Sequence, residues 1–215
     1  MAFHRIDLDH WERREHFEHY LHSVPCSYSM TADLDITRLL NTVHAQNLHF
    51  YPVIIYGLTA AVNTFREFRT ALDGDGNPCW YDRLNPSYTV FHADTQTFSC
   101  LWTPAQDDFG AFYRNYMENQ RQYGGAHTFC GMEIPADVFN ISAIPWTSFT
   151  GFHLNLAPDS GYLLPIFTIG KYRAAEGKTL LPLAVQVHHA ACDGFHTARF
   201  LEWLQASWAD AFTGA

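Results

Sequence analysis

The densest run of chemically capable side chains is Val187-His188-His189-Ala190-Ala191-Cys192-Asp193-Gly194-Phe195-His196. Histidine is the side chain best suited to take a proton near neutral pH, since its unperturbed pKa is about 6.5. Three chemistries are open. A histidine can act as a general base oriented by Asp193, Cys192 can act as a nucleophile beside a histidine, or His188, His189, Cys192, Asp193 and His196 can supply metal ligands. Spacing weighs against the metal. Neighbouring residues on a strand point to opposite faces, so His188 and His189 do not share one ion, and neither an HExxH nor a CxxC spacing occurs. The thiol reading rests only on closeness in sequence, which is not closeness in space. The bland alternative is a pair of polar residues at a strand end. Asp193 can equally pair with an arginine or cap a following helix, and Gly194 supplies a backbone angle that other residues resist.

The elements that must position this run are legible around it. An apolar strand over 180–189 precedes it, and a helix over 191–209 bearing Phe200, Leu201, Leu204 and Trp208 follows. Upstream, Asp9 with Glu12 three residues on predicts a capped helix over 10–22, stopped by Pro25. A strand is expected over 26–33, then a helix capped by Asp35 with Ile36, Leu39, Leu40 and Val43 at helical spacing. The apolar stretch 52–68 predicts a helix buried on most sides. Asp73-Gly74-Asp75-Gly76-Asn77-Pro78 is a turn, and the runs 88–91 and 97–102 predict a hairpin. A helix over 109–123 should end at Gly124-Gly125, and strands are expected over 140–144, 151–156 and 163–172. Helices first and strands later predict an α+β fold of two layers, helices packed on a large mixed sheet, as one domain over 1–215.

Composition narrows the function classes. A net charge of −9 with no block of like charge argues against nucleic acid and against an anionic membrane surface. No apolar run approaches the roughly 20 residues of a membrane span, and the start Met-Ala-Phe-His-Arg carries no apolar signal region. The five scattered cysteines read as reduced thiols, which with the missing signal points to the cytoplasm. Seventeen Phe, eleven Tyr and six Trp exceed what one core needs, so part of that surplus is expected to line a ligand pocket or a subunit interface.

His188-His189-Ala190-Ala191-Cys192-Asp193-Gly194 resembles the HHxxxDG signature of the CoA-dependent acyltransferase superfamily. Further stretches narrow the resemblance. Trp11-Glu12-Arg13-Arg14-Glu15-His16-Phe17, Phe50-Tyr51-Pro52-Val53, Tyr88-Thr89-Val90-Phe91-His92, Asn140-Ile141-Ser142-Ala143 and Pro145-Trp146 follow the order of the chloramphenicol O-acetyltransferases, over nearly the whole chain. The resemblance implies that His189 is the general base, taking the proton of chloramphenicol's primary hydroxyl as its oxygen attacks the thioester of acetyl-CoA, with no metal and no acyl-enzyme. It implies Ser142 as oxyanion donor with Thr168 helping through a water. It also implies an Asp193–Arg13 pair as structural support, and a His189 tautomer held by a backbone carbonyl rather than a carboxylate. Tyr20, Cys26, Phe98, Phe129, Phe152 and Leu154 map to the acceptor pocket; Trp146, Lys171 and Tyr172 map to the CoA path. The family's sites lie between subunits of a homotrimer.

Alone, Ser142 reads as a routine strand serine and Arg13 as an exposed helix charge. Ala191, where the motif commonly has valine, and His19, Thr147 and Gly151 at variable positions bear on acceptor breadth rather than on the chemistry. A dihydrolipoyl acyltransferase core, an acetyltransferase for another alcohol, and a drug-binding protein without turnover are the competing functions. The first is disfavoured by the Trp11 to Phe17 pattern, the last by the number of catalytic positions retained.

Overall fold

A computed structural model describes residues 2–157 and 160–210. In chain order its strands are β1 (Phe3–Arg5), β2 (Ser27–Asp35), β3 (Thr70–Leu72), β4 (Pro78–Tyr81), β5 (Asn85–His92), β6 (Thr97–Trp102), β7 (Val138–Ile144), β8 (Ile166–Gly170), β9 (Arg173–Ala175) and β10 (Lys178–His188). Its α-helices are α1 (Arg14–Glu18), α2 (Thr37–Ala45), α3 (Phe50–Thr64), α4 (Phe109–Tyr123) and α5 (Gly194–Asp210). The main sheet runs β2-β10-β8-β7-β5-β6, with β9 on β10, and a small sheet runs β1-β4-β3. The main sheet is mixed: β10 is antiparallel to β2 and β8, whereas β7 is parallel to both β5 and β8. This is the expected α+β architecture of helices on a large mixed sheet.

The two faces of the sheet differ sharply. One carries Tyr88, Leu101, Ile141, Phe167, Val185 and Val187, all buried beneath the helices, with α3 packed between α4 and α5. Phe68, Phe167 and Phe200 stack there at ring separations of 4.4 and 5.3 Å. Burial of such aromatics is the main stabilisation available to a chain of this composition. α3 is so apolar because it is covered on nearly every side; Pro52 sits in its first turn, where its missing N–H costs nothing. The other face carries Ser29, Thr31, Ser142, Thr168 and Gln186, and the stretch 148–156 lies across part of it.

Local chemistry explains where the expected elements shift. The Asp9–Glu12 cap does not form. Asp7 accepts from the Asp9 N–H and starts a single 3-10 turn, while Asp9 pairs with Arg14 at 2.7 Å. The expected helix 10–22 is instead the short α1, followed by a π-turn over His19–Ser23. Asp35 closes β2 rather than opening α2 as its cap residue, but its carboxylate still accepts from the Thr37 N–H at 3.0 Å. The stretch 151–156 is not a strand, because the Phe152 and Leu154 N–H groups donate to the side chains of Thr31 and Gln186 instead of to a ladder. The strand expected over 163–172 is confined to β8. The final helix begins at Gly194, since 190–192 form a turn whose Ala191 and Cys192 N–H groups both donate to the His188 carbonyl at 3.0 Å. The hairpin of β5 and β6 and helix α4, capped by Asp108 and stopped at Gly124, lie where expected.

Candidate active site

β10 delivers His188 and His189 to the edge of the sheet and separates them, as strand geometry requires. His188 is buried and its Nδ1 accepts from the Ala190 N–H at 3.2 Å. Burial, followed by the charge of His189, holds the His188 pKa below the ordinary histidine value. His189 is half-buried, and its backbone N–H donates to the Cys26 carbonyl at 2.9 Å, fastening the corner to the start of β2. Its ring lies flat on Tyr20 at 3.8 Å and 4°, with Tyr28 edge-on at 5.4 Å. The π-turn carries Tyr20 into that stack. Tyr28 is pinned from beneath by a 2.7 Å bond to Thr197, and burial pushes its phenol up to about 12. The Nδ1 of His189 is buried and has no hydrogen-bond partner among the described residues, so the expected backbone-carbonyl contact is not seen there.

Below the corner, Arg13 Nη1 donates to Asp193 Oδ2 at 2.7 Å, joining the first helix to the loop between β10 and α5. His196 extends the cluster, with Nδ1 2.9 Å from Asp193 Oδ1 and Nε2 3.6 Å from Glu67. Burial pushes the Asp193 carboxyl up, but the bond and charge of Arg13 and the charge of His196 outweigh it, leaving the group below the usual carboxylate range. Cys192 is fully enclosed, and burial drives its thiol far up. A buried protonated thiol is a poor nucleophile. Among the described residues no group of three or more His, Cys, Asp or Glu is arranged to hold a metal ion.

The second group of candidates lies elsewhere on the same sheet. Ser142 on β7 stands beside Thr168 on β8, which in turn stands beside Ala184 on β10. The parallel pairing of β5 and β7 stops at Tyr88–Ile141, although both strands continue. Where they part, a cavity of about 370 Å³ opens, lined by Tyr51, Thr89, Phe91, Ala143, Lys171 and Tyr172 among others. Trp146 stands beside it, edge-on to Phe91 at 4.6 Å, and Tyr172 packs edge-on against Phe50 at 5.5 Å. Tyr51, which lines the cavity, keeps its hydroxyl buried against Thr89, and burial raises its pKa strongly in spite of that contact. A larger cavity of about 550 Å³ between the first helix and the 76–78 turn touches none of these residues.

One chain does not bring the two groups together. His189 lies five residues beyond Ala184, or about 17 Å further along the strand direction, and Ser142 is two strands across, about 10 Å more. Tyr20, Cys26, Arg13 and Asp193 gather at the His189 end. Lys171 and Tyr172 line the cavity between β5 and β7, Trp146 packs on its lining residue Phe91, and Ser142 and Thr168 are next in sequence to its lining residues Ala143 and Ile169. Phe98 and Phe129 form an exposed ring pair 5.9 Å apart at the β6 edge. Phe152 and Leu154 lie over β2 and β10. Sequence reasoning gave no role to Tyr28, Tyr51 or Glu67, and considered His196 only as a metal ligand. Tyr51 sat within a family-like stretch without a task assigned, and Glu67 carried no local signal.

Comparison with known proteins completes the picture. The family model described as chloramphenicol acetyltransferase matches residues 1–205. A chloramphenicol acetyltransferase of Clostridium perfringens is 48% identical over 206 residues, covering 95% of this chain and 94% of its own. One from Campylobacter coli is 46% identical over 209 residues, covering 95% and 98%. A solved chloramphenicol acetyltransferase superposes with a TM-score of 0.86 at 24% identity, over 95% of this chain and 99% of that one. The dihydrolipoamide acetyltransferase of Azotobacter vinelandii shares the fold more distantly, with a TM-score of 0.67 at 18% identity over 91% and 86%. With the HHxxxDG corner and the length of chain matched, this chain belongs to the chloramphenicol acetyltransferase family of enzymes.

Proposed function

We propose that the chain transfers the acetyl group of acetyl-CoA to the primary hydroxyl of chloramphenicol, conferring resistance to it, as a cytoplasmic homotrimer of one-domain subunits. The observation that carries this reading is the parting of β5 and β7. A cavity at the gap between the strands, lined by Ala143 and Ile169 next in sequence to Ser142 and Thr168, suits the narrow pantetheine arm of CoA, with Lys171, Tyr172 and Trp146 at its wall and rim for the rest of the nucleotide. The acetyl thioester would then reach the polar face next to two hydroxyls.

His189 is the base. With Nδ1 buried, Nε2 is the nitrogen a substrate meets, and it takes the hydroxyl proton as the acceptor oxygen attacks the thioester carbonyl. General-base help of this kind contributes roughly 10²–10⁴ in rate. The negative charge that develops on the carbonyl oxygen is met by the Ser142 hydroxyl, with Thr168 acting through a water. The tetrahedral intermediate collapses, the C–S bond breaks, and the imidazolium returns its proton to the CoA thiolate. Tyr20, stacked on the ring, favours the imidazolium by cation–π attraction worth about 0.5–2 kcal/mol. Arg13 and Asp193 hold the loop and do not touch substrate.

Because His189 and Ser142 are far apart in one chain, the complete site joins the base of one subunit to the cavity of the next. Phe98 and Phe129, exposed at the sheet edge, and Tyr20, Cys26, Phe152 and Leu154 then enclose the nitrophenyl and dichloroacetamide groups of the acceptor. The test is release of free CoA thiol from acetyl-CoA with and without chloramphenicol. Release that depends on chloramphenicol and vanishes in His189→Ala is expected. No release from folded trimer would overturn the acceptor and call for other alcohols.

A further inference from the structure

Cys100 and Cys130 are 30 positions apart in sequence and paired in space. The segment after α4 runs along the outer edge of β6: the Cys100 N–H donates to the Phe129 carbonyl at 2.7 Å, and the Gly131 N–H donates to the Cys100 carbonyl at 3.2 Å. That parallel bridge sets the two cysteines directly opposite each other, with both side chains on the same side of the ladder. Neighbouring strands lie about 4.8 Å apart, inside the roughly 4.4–6.8 Å that the Cα atoms of a disulfide span. Gly131 keeps the segment close to the sheet; a Cβ built there would lie 2.8 Å from Leu101 Cδ2. Both thiols are free, Cys130 exposed and Cys100 half-buried. Burial, then the nearness of Cys130, raises the Cys100 pKa. Acetyl transfer as described above uses neither residue.

We propose that Cys100 and Cys130 form a reactive dithiol that takes low-molecular-weight disulfides as oxidants and closes to an intramolecular disulfide. The exposed Cys130 thiolate attacks one sulfur of the small disulfide. The S–S bond of the reagent breaks, one thiolate leaves and takes up the proton that Cys130 lost, and Cys130 carries a mixed disulfide. The Cys100 thiolate then attacks the Cys130 sulfur, expelling the second small thiolate, which takes up the Cys100 proton. Two protein thiols are oxidised and one small disulfide is reduced to two thiols, so atoms and electrons balance. The slower thiol is the enclosed one, which makes Cys130 the entry point and Cys100 the resolving partner.

The experiment incubates the full-length protein with oxidised glutathione, quenches with acid, and follows thiol titre, intact mass and a non-reducing peptide map. The wild type should lose two titratable thiols, lighten by two hydrogens, yield a Cys100–Cys130 cross-linked peptide, and recover fully with dithiothreitol. Cys100→Ser should halt at a glutathione adduct on Cys130, and Cys130→Ser should give no cross-link. A wild type that stops at a stable glutathione adduct overturns the proposal. So does one that joins two chains through Cys130, retains all its thiols, or loses them no faster than Cys130→Ser.

Discussion

The two ends of the polar sheet face are built on opposite plans. Around His189 every neighbour is fastened: the Cys26 carbonyl holds its backbone, Tyr20 and Tyr28 hold its ring, two N–H groups close the turn on His188, and the Arg13–Asp193 pair ties the loop to the first helix. Around Ser142 the sheet does the reverse. Two strands give up their hydrogen bonds and leave a cavity. A base must be aimed to within fractions of an ångström, whereas a long thioester must thread its way in. Rigidity and access are separate requirements, and this fold meets them about 20 Å apart in one chain. On the proposed function, a complete site therefore needs a second copy.

Removal of the base should have the largest effect. His189→Ala is expected to lower kcat by about 10²–10⁴ or more while chloramphenicol binding persists. Steady-state kinetics beside equilibrium binding would check this; unchanged turnover with lost binding would reverse the roles. At the open end, Ser142→Ala should cost about 10²–10³ in kcat with a near-normal KM.

Mixing the two defective proteins sharpens the comparison further. If each site takes its base from one subunit and its oxyanion donor from the next, trimers reassembled from equal amounts of His189→Ala and Ser142→Ala chains contain some wild-type sites. Random assembly makes about a quarter of the sites whole, so activity should rise to about that share of wild type. If activity stays at the level of the single variants, both groups must come from one chain, and the inter-subunit reading fails.

The fastening itself can be cut. Arg13→Ala leaves Asp193 beside His196 without its main cation. A fully buried pair broken from one side costs about 3–5 kcal/mol, but the Asp193 side chain keeps 34% of its exposure, so about 1–3 kcal/mol is expected after screening. Chemical denaturation would measure it. kcat should fall as the His189 corner loosens, and Arg13→Lys should restore part of both.

Much of this was legible in the sequence because it is local. The HHxxxDG corner, the turn at 73–78, the hairpin of β5 and β6 and the caps of α4 each depend on a few adjacent residues. Less was legible where a distant partner decides. Asp9 lost its capping role to a nearby arginine, and 151–156 gave up strand pairing to bond Thr31 and Gln186. The pairing of 129–131 with β6 gave no pattern in its own segment. The parting of β5 and β7 left none either, since Thr89, Val90 and Ala143 read as ordinary strand residues. Ser142 alone was a common strand serine; its place beside a cavity-lining residue depends on strand order, which periodicity does not encode. The His189 end was thus marked as a candidate by its own residues, while the role of His189, its Arg13–Asp193 support and the whole of the other end came only through resemblance.

The smallest expected effect separates His188 from its neighbour. His188 is buried, accepts from the Ala190 N–H, and has its pKa held below the ordinary value by burial and by His189. Unfolding returns it to about 6.5. Between the folded and unfolded values the unfolded chain binds more protons, so stability is complete above about pH 6.5 and declines as pH falls through that window. Asp193 acts at lower pH: its lowered pKa adds stability that is fully present above about pH 3.9 and lost only as pH falls further. Thermal unfolding followed from pH 8 to about pH 5 should therefore show a gentle loss of Tm beginning near pH 6.5. In His188→Gln the starting Tm should be lower, because a buried partner of Ala190 is altered, but the slope in that window should flatten. If the slope is unchanged in His188→Gln, another group titrates in that window. The buried histidine would then carry no part of the acid sensitivity, and the division of one residue for the fold and the next for the chemistry would fail.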